Sequence, residues 1–169
     1  MIVRMTQMLE RRVWALTNQL KAGDFVPEAY ELRFFGGKID RIDICETEEQ
    51  IYVKVMDYKT GSKAFDAVAL YHGLQLQLMI YMDAAVEFQK KRHPDKEIIP
   101  AGVFYYRIQD PLVDKTEDKE EAERAVLKQL KPDGIIPLGT EILKHLDHNT
   151  SGESLAVPVK YNKNGSVSG

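Results

Sequence analysis

The chain has 169 residues, 44% of them hydrophobic and 29% charged, which is enough for one domain with its own core and ordinary for a globular protein in water. Its 23 Lys and Arg against 26 Asp and Glu give a net charge of -3, which excludes a wholesale basic nucleic-acid binder and leaves any positive groove to local patches or a partner. No apolar run approaches the roughly 20 residues of a membrane helix, the start "MIVRMTQMLERRVW" is too charged for a signal peptide, and the single Cys45 excludes an internal disulfide or a metal site built on cysteines alone.

In chain order, residues 4–21 place Met5, Met8, Leu9, Val13, Leu16 and Leu20 at helical spacing, with Gly23 as a stop. "DFVPEAYELRFFGG" then leads into extended chain. Residues 38–46 and 51–59 read as strands on either side of "TEEQ". "ALYHGLQLQLMIYMDAAVEFQKKR" predicts one long apolar helix that stops at His93-Pro94. "PAGVFYYRI" (100–108) is a strand apolar enough for the interior of a sheet. Residues 114–131 begin as a charge run, expected on a solvated surface, and become an amphipathic helix. A short helix is expected over 139–147. The tail holds one strand and then "NKNG", a hairpin-turn signal, with hardly any returning strand expected before Gly169. There is no internal repeat and no linker.

The two strands around "TEEQ" carry the chemistry. Side chains alternate between the faces of a strand, so Asp40 shares a face with Ile42 and Ile44, while Val53, Val55, Asp57 and Lys59 share one on the next strand. Setting Glu46 opposite Ile51 pairs Ile44 with Val53, Ile42 with Val55 and Asp43 with Lys54. It also brings Asp40 to Asp57. A slip of one residue would oppose apolar and charged side chains on both faces, so the register is well specified. Two facing carboxylates repel by on the order of a kcal/mol. A divalent cation offsets this, and oxygen donors suit Mg²⁺. A lysine on the same face can polarise an attacking water or stabilise charge on a phosphate. Without a cation, the same residues read as hydrated acids and a salt bridge at a hairpin end.

"GKIDRID", "VMDYKTG" and "GLQLQLMIYMDA" resemble the PD-(D/E)XK nuclease superfamily, in which an aspartate on one strand is followed by (D/E)-x-K on the next. More narrowly they resemble the RecB-type nucleases, and among those the C-terminal nuclease domains of the AddB type. "FVPEAYELRF" and "PAGVFYYRIQDPL" extend the likeness over roughly residues 10–160.

The resemblance implies an α/β fold with a mixed sheet flanked by helices. It implies Asp40, Asp57 and the main-chain carbonyl of Tyr58 as ligands of Mg²⁺ or Mn²⁺, Lys59 acting on the water, and Gln77 with Tyr81 as the Q-x-x-x-Y helix motif. It further implies exodeoxyribonuclease activity in a bacterial, cytoplasmic, ATP-dependent helicase/nuclease complex that serves double-strand break repair and recombination. DNA and an AddA-like helicase/nuclease subunit would be the partners. ATP would belong to that partner, because "TGSK" (60–63) lacks the order of a P-loop.

Two departures accompany the likeness. RecB-type nucleases carry a histidine on a helix before the first motif strand, and here the first histidine is His72. AddB-type domains also use four cysteines for a 4Fe-4S cluster, which is therefore not expected on a chain holding only Cys45. Residues 1–169 are expected to form a single nuclease domain, an internal fragment of a larger subunit. The alternative is a nuclease-like domain that binds DNA or scaffolds the complex without cleaving. A small-molecule hydrolase with a two-acid metal site accounts less well for Lys59 and the glutamine helix.

Overall fold

The computed structural model describes residues 2–60, 65–73, 75–108, 118–137, 139–149, 151–162 and 167–168, with side chains from Met5 onward. Strands β1 (Val26–Phe34), β2 (Gly37–Glu46), β3 (Gln50–Lys59), β4 (Glu97–Arg107) and β5 (Asp133–Ile135) form one sheet in that spatial order. β3 and β4 run parallel, and every other neighbouring pair is antiparallel. A parallel pair needs a crossover, and helices α2 (Ala67–Tyr71) and α3 (Gln77–Arg92) lie within it. The sheet is therefore mixed and flanked by helices, as the resemblance implied.

Both faces of β2 and β3 are covered. On one, Leu78, Tyr81, Met82 and Ala85 of α3 pack on Ile42, Ile44, Val53, Val55, Val103 and Tyr105. On the other, Phe25, Cys45, Tyr52 and Phe104 meet Leu143 and Leu146 of α5 (Thr140–Leu146), together with Val157, Val159 and Tyr161. Helix α1 (Ile2–Lys21) also lies on that face. Its Leu16 and Leu20 line a narrow cleft with Arg41, Lys54, Met56 and Phe104. Burial on two sides explains why these strands lack a clean polar face. It also forces charge inside. Asp43 is fully buried, and its carboxylate accepts from Arg41 Nε at 2.5 Å and Nη2 at 2.8 Å, with Lys54 Nζ at 2.9 Å.

The expected β2–β3 register holds, from Glu46–Ile51 through Ile44–Val53, Asp43–Lys54 and Ile42–Val55 to Arg41–Met56. Two expectations change. The single helix over 69–92 is two, because His72 closes α2 and Gly73 follows with φ +76°, a left-handed conformation that suits glycine and ends the helix. Half of the α1 apolar spacing faces outward: Met5, Leu9 and Val13 are exposed, while Arg12 and Ala15 are buried and Arg12 Nη1 donates to the Arg107 carbonyl. The amphipathic helix expected to follow the charge run within 114–131 is observed as α4 (Lys119–Gln129), capped by the Asp118 carboxylate. The first part of its charge run lies outside the described residues.

The tail forms a small sheet of β6 (Gly152–Glu153), β7 (Lys160–Tyr161) and β8 (Val167–Ser168). Most of "NKNG" lies outside the described residues, and the short strands on its two sides pair, Lys160 with Ser168 and Tyr161 with Val167, so a returning strand is present where almost none was expected.

Strand β5 was not legible in advance, and it depends on a glycine. Gly134 pairs with Phe104, and a Cβ there would overlap the Val103 carbonyl oxygen and lie 2.9 Å from Phe104 Cα. Backbone cannot swing aside as a side chain can. Gly134→Ala should therefore destabilise the fold by about 1–3 kcal/mol, read as a lower urea midpoint with an unchanged slope.

Candidate active site

The β2–β3 ladder pairs Arg41 with Met56, and one residue further on the pattern changes. Ile39 and Ile42 belong to the same core cluster, although three positions apart on a regular strand they would face opposite ways. The pleat of β2 thus changes phase at Asp40–Arg41. β1 does the same beside it, since Ala29 and Leu32 both pack against that cluster. Between them Glu31 adopts φ +51°, left-handed for a residue that has a Cβ. In the β1–β2 register Glu31 lies between the pairs Tyr30–Arg41 and Leu32–Ile39, directly across from Asp40.

Strict alternation had set Asp40 beside Ile42. The phase change instead turns its carboxylate to the β3 main chain, where Oδ2 accepts the Tyr58 amide at 2.9 Å. Asp40 is thereby held on the residue adjoining Asp57. Asp57 is buried, and its Oδ2 lies 2.6 Å from Lys59 Nζ. The Lys59 ammonium also sits 5.3 Å above the ring of Tyr105 and donates to Gln77 Oε1 at 3.3 Å. Gln77 Nε2 in turn donates to the Tyr81 hydroxyl at 2.8 Å, one turn along α3. The ring of Tyr81 is fixed edge-on to Phe34, centroids 5.7 Å apart.

Asp57, Lys59, Gln77 and Tyr81 therefore form one continuous polar line, with the Asp40 carboxylate on the amide next to Asp57. The other glutamine of "LQLQL", Gln75, is structural. It is buried and accepts the Asp66 amide at 3.1 Å. Tyr58 contributes its amide to this arrangement. Its hydroxyl accepts from Arg41 Nη1 at 3.4 Å, and its ring lies against Tyr106. Sequence reasoning missed Tyr105 and Phe34. The period of "VFYY" on β4, with Val103 inward, could have found Tyr105.

Partial burial pulls the Lys59 ammonium toward its neutral form, but the hydrogen bond and charge of Asp57 outweigh it, so its pKa lies above the ordinary lysine value. Lys59 is therefore a cation at neutral pH. It can donate hydrogen bonds and stabilise negative charge, and it cannot serve as a base while so paired. The two aspartates supply oxygen donors of the kind that Mg²⁺ takes. Among the described residues, no helix is long and apolar enough to cross a membrane.

A family model described as the PD-(D/E)XK nuclease superfamily matches residues 2–160. The chain is also similar to three bacterial proteins, each named as the B subunit of an ATP-dependent helicase/deoxyribonuclease. Identity is 35% to that of Thermoanaerobacter sp. (strain X514), 39% to that of Lachnoclostridium phytofermentans and 36% to that of Alkaliphilus metalliredigens. These matches take in 97%, 96% and 99% of this chain. The chain spans only 16%, 15% and 16% of the length of those relatives.

Proposed function

Because the chain belongs to the PD-(D/E)XK nuclease superfamily, we propose that it is the nuclease domain of a helicase/nuclease subunit and hydrolyses DNA phosphodiesters with Mg²⁺, or Mn²⁺, held at Asp40 and Asp57. The observation that carries this reading is the polar line from Asp57 through Lys59 and Gln77 to Tyr81, with Asp40 fastened to the amide beside Asp57.

The donor set fits the ion. Two carboxylates from adjacent strands are hard ligands, and Mg²⁺ keeps several waters where a protein offers few oxygens. The Tyr58 carbonyl is the third ligand that the family pattern assigns. When bound, the ion supplies Lewis-acid polarisation of the phosphate and a lowered pKa for bound water.

The chain's own residues do the rest. Asp40 is positioned by the Tyr58 amide and Asp57 by burial, so neither must be ordered when DNA arrives. Lys59, kept cationic by Asp57, donates to the attacking water or to a phosphate oxygen. Gln77 holds the Lys59 ammonium in place, and its own amide is oriented by Tyr81. Tyr105 floors the site and removes water from one side of the cation.

On this reading, residues 1–169 are one nuclease domain of a larger polypeptide. Its partners are DNA and an AddA-like helicase subunit, and its role is exonucleolytic processing of double-strand breaks before recombination in the bacterial cytoplasm. The relatives named as B subunits of an ATP-dependent helicase/deoxyribonuclease support the nuclease and helicase-partner parts of this reading.

The test is end-labelled linear duplex DNA incubated with Mg²⁺ or Mn²⁺ and the complete two-subunit enzyme. Cleavage should require the ion and should be lost in Asp57→Ala. Cleavage that persists in Asp57→Ala would overturn the assignment. DNA binding without ion-dependent cleavage would favour a domain that only binds or scaffolds.

A further inference from the structure

On the face of the sheet opposite α3, three side chains far apart in sequence converge. Asp24 lies in the turn between α1 and β1, Cys45 near the end of β2, and His145 in the last turn of α5. One ligand atom of each, a carboxylate oxygen, Sγ and a ring nitrogen, lies within 4.8 Å of both others. We propose that Asp24, Cys45 and His145 form a second metal site, chemically unlike the Asp40–Asp57 pair and suited to Zn²⁺, with His148 orienting its carboxylate from outside. This inference is independent of the nuclease reading.

The choice of ion follows from the donors. A thiolate, an imidazole and one carboxylate are the mixed soft and borderline set that selects Zn²⁺ over Mg²⁺. Tetrahedral bonds of about 2.0–2.3 Å put neighbouring ligand atoms roughly 3.3–3.8 Å apart, so small side-chain adjustments would close the site. Three protein ligands leave one position for water. Burial pushes the Cys45 thiol up to about 11, with the Asp24 charge adding to it, so the metal-free protein carries a neutral thiol there. Metal binding would release that proton.

The supporting backbone is already fixed. The Asp24 amide donates to the His145 carbonyl at 2.8 Å, and the His148 amide donates to the Ala22 carbonyl at 2.7 Å. Gly23, between them, passes so close to α5 that a Cβ would overlap the His145 carbonyl oxygen and come within 2.5 Å of that of Leu146. The Tyr52 ring lies 4.9 Å from the His145 ring and limits its rotation.

The two oxygens of Asp24 are divided. Oδ2 lies 2.8 Å from His145 Nδ1, and Oδ1 lies 2.7 Å from His148 Nε2. That is the arrangement of a ligating carboxylate held by an outer partner. It holds the Asp24 carboxyl below its usual range, with the His145 hydrogen bond the largest cause. A simple ion-pair lock between α5 and the start of β1 would need only the histidines and the aspartate, with Cys45 serving as a packing residue of the core. The thiol is what distinguishes the two.

The test is to strip the chain of metal and titrate it with Co²⁺, then with Zn²⁺. One equivalent of Co²⁺ should give tetrahedral absorption with a sulfur-to-cobalt charge-transfer band, and Zn²⁺ should bleach it. Cys45→Ser should remove the charge-transfer band. His145→Gln, at a partly exposed position and less dangerous to the fold, should also abolish stoichiometric binding. His148→Ala should weaken it by about 10–100-fold, and Asp57→Ala should leave it unchanged. Absence of the charge-transfer band in the parent chain would overturn the proposal. So would full Co²⁺ affinity in His145→Gln, or loss of the signal in Asp57→Ala.

Discussion

On the proposed nuclease reading, Lys59→Ala in the complete two-subunit enzyme should cut DNA cleavage by about 10²–10³ and leave ATP-driven unwinding near the parent rate. The expectation rests on where the ammonium sits. It is 2.6 Å from Asp57 and fixed by Gln77, so on the proposed reading it would meet the reacting phosphate already oriented. Removing such a preorganised charge acts on the chemical step. One lost phosphate contact among many weakens DNA binding only modestly, and chiefly at high salt. Because the Lys59 pKa lies above the ordinary lysine value, the residue stays charged through neutral and mildly alkaline pH. The parent's pH–rate profile should then show no loss due to Lys59 below that ordinary value. Cleavage and unwinding should be assayed together on one linear duplex. Cleavage near the parent rate would mean the lysine is not part of the chemistry. Unwinding lost in step with cleavage would mark the domain as structural to the motor.

The hairpin was legible because two independent patterns agreed on one register. Apolar residues matched on one face, and Asp43 matched Lys54 on the other. The place of Lys59 two residues after Asp57 followed from alternation alone, whereas Gln77 with Tyr81 came from the resemblance to the Q-x-x-x-Y motif, because "LQLQL" by itself does not single out one glutamine. What alternation could not give was the phase change at Asp40, because it depends on the left-handed Glu31 of the neighbouring strand. Strand periodicity assumes an unbroken pleat, and the break falls where the first aspartate turns to the Tyr58 amide. The division of the 69–92 helix was hidden for a different reason. "YHGLQ" carries a glycine, but apolar residues continue on both sides and mask the stop. The convergence of Asp24, Cys45 and His145 leaves no trace in spacing. Their separations in sequence are set by three different elements, and only the packing of α5 on the sheet unites them.

Asp43→Ala should be the most damaging single substitution for stability, at about 3–5 kcal/mol. Asp43 is fully buried and joins Arg41 and Lys54, so its loss leaves two cations inside without a counter-charge. The deficit should depend on pH in a definite direction. Burial already holds the Lys54 pKa below the ordinary lysine value, and the Asp43 charge is what opposes that shift. Without Asp43 the Lys54 pKa falls further. In the window between the lowered folded value and the ordinary unfolded one, the unfolded chain then binds more protons than the folded one, so stability rises with pH. Urea midpoints of Asp43→Ala should therefore recover partly from pH 7 toward pH 10, as Lys54 folds in neutral form, while Arg41 stays charged and the recovery stays incomplete. A control separates lost attraction from stranded charge. Replacing all three residues with apolar ones of similar size should cost far less than Asp43→Ala alone, because such exchanges of buried ion groups are often near neutral. If the triple variant were as unstable as the single one, the cluster would act by packing and not by charge. The consequence reaches the candidate active site through Arg41, which adjoins Asp40 and donates to the Tyr58 hydroxyl. The ion cluster on one face thus anchors the two residues whose carboxylate–amide bond positions Asp40 on the other strand. Asp43→Ala should loosen that bond before the sheet itself unfolds, seen as faster hydrogen exchange at the Tyr58 amide than at Val53 or Val55.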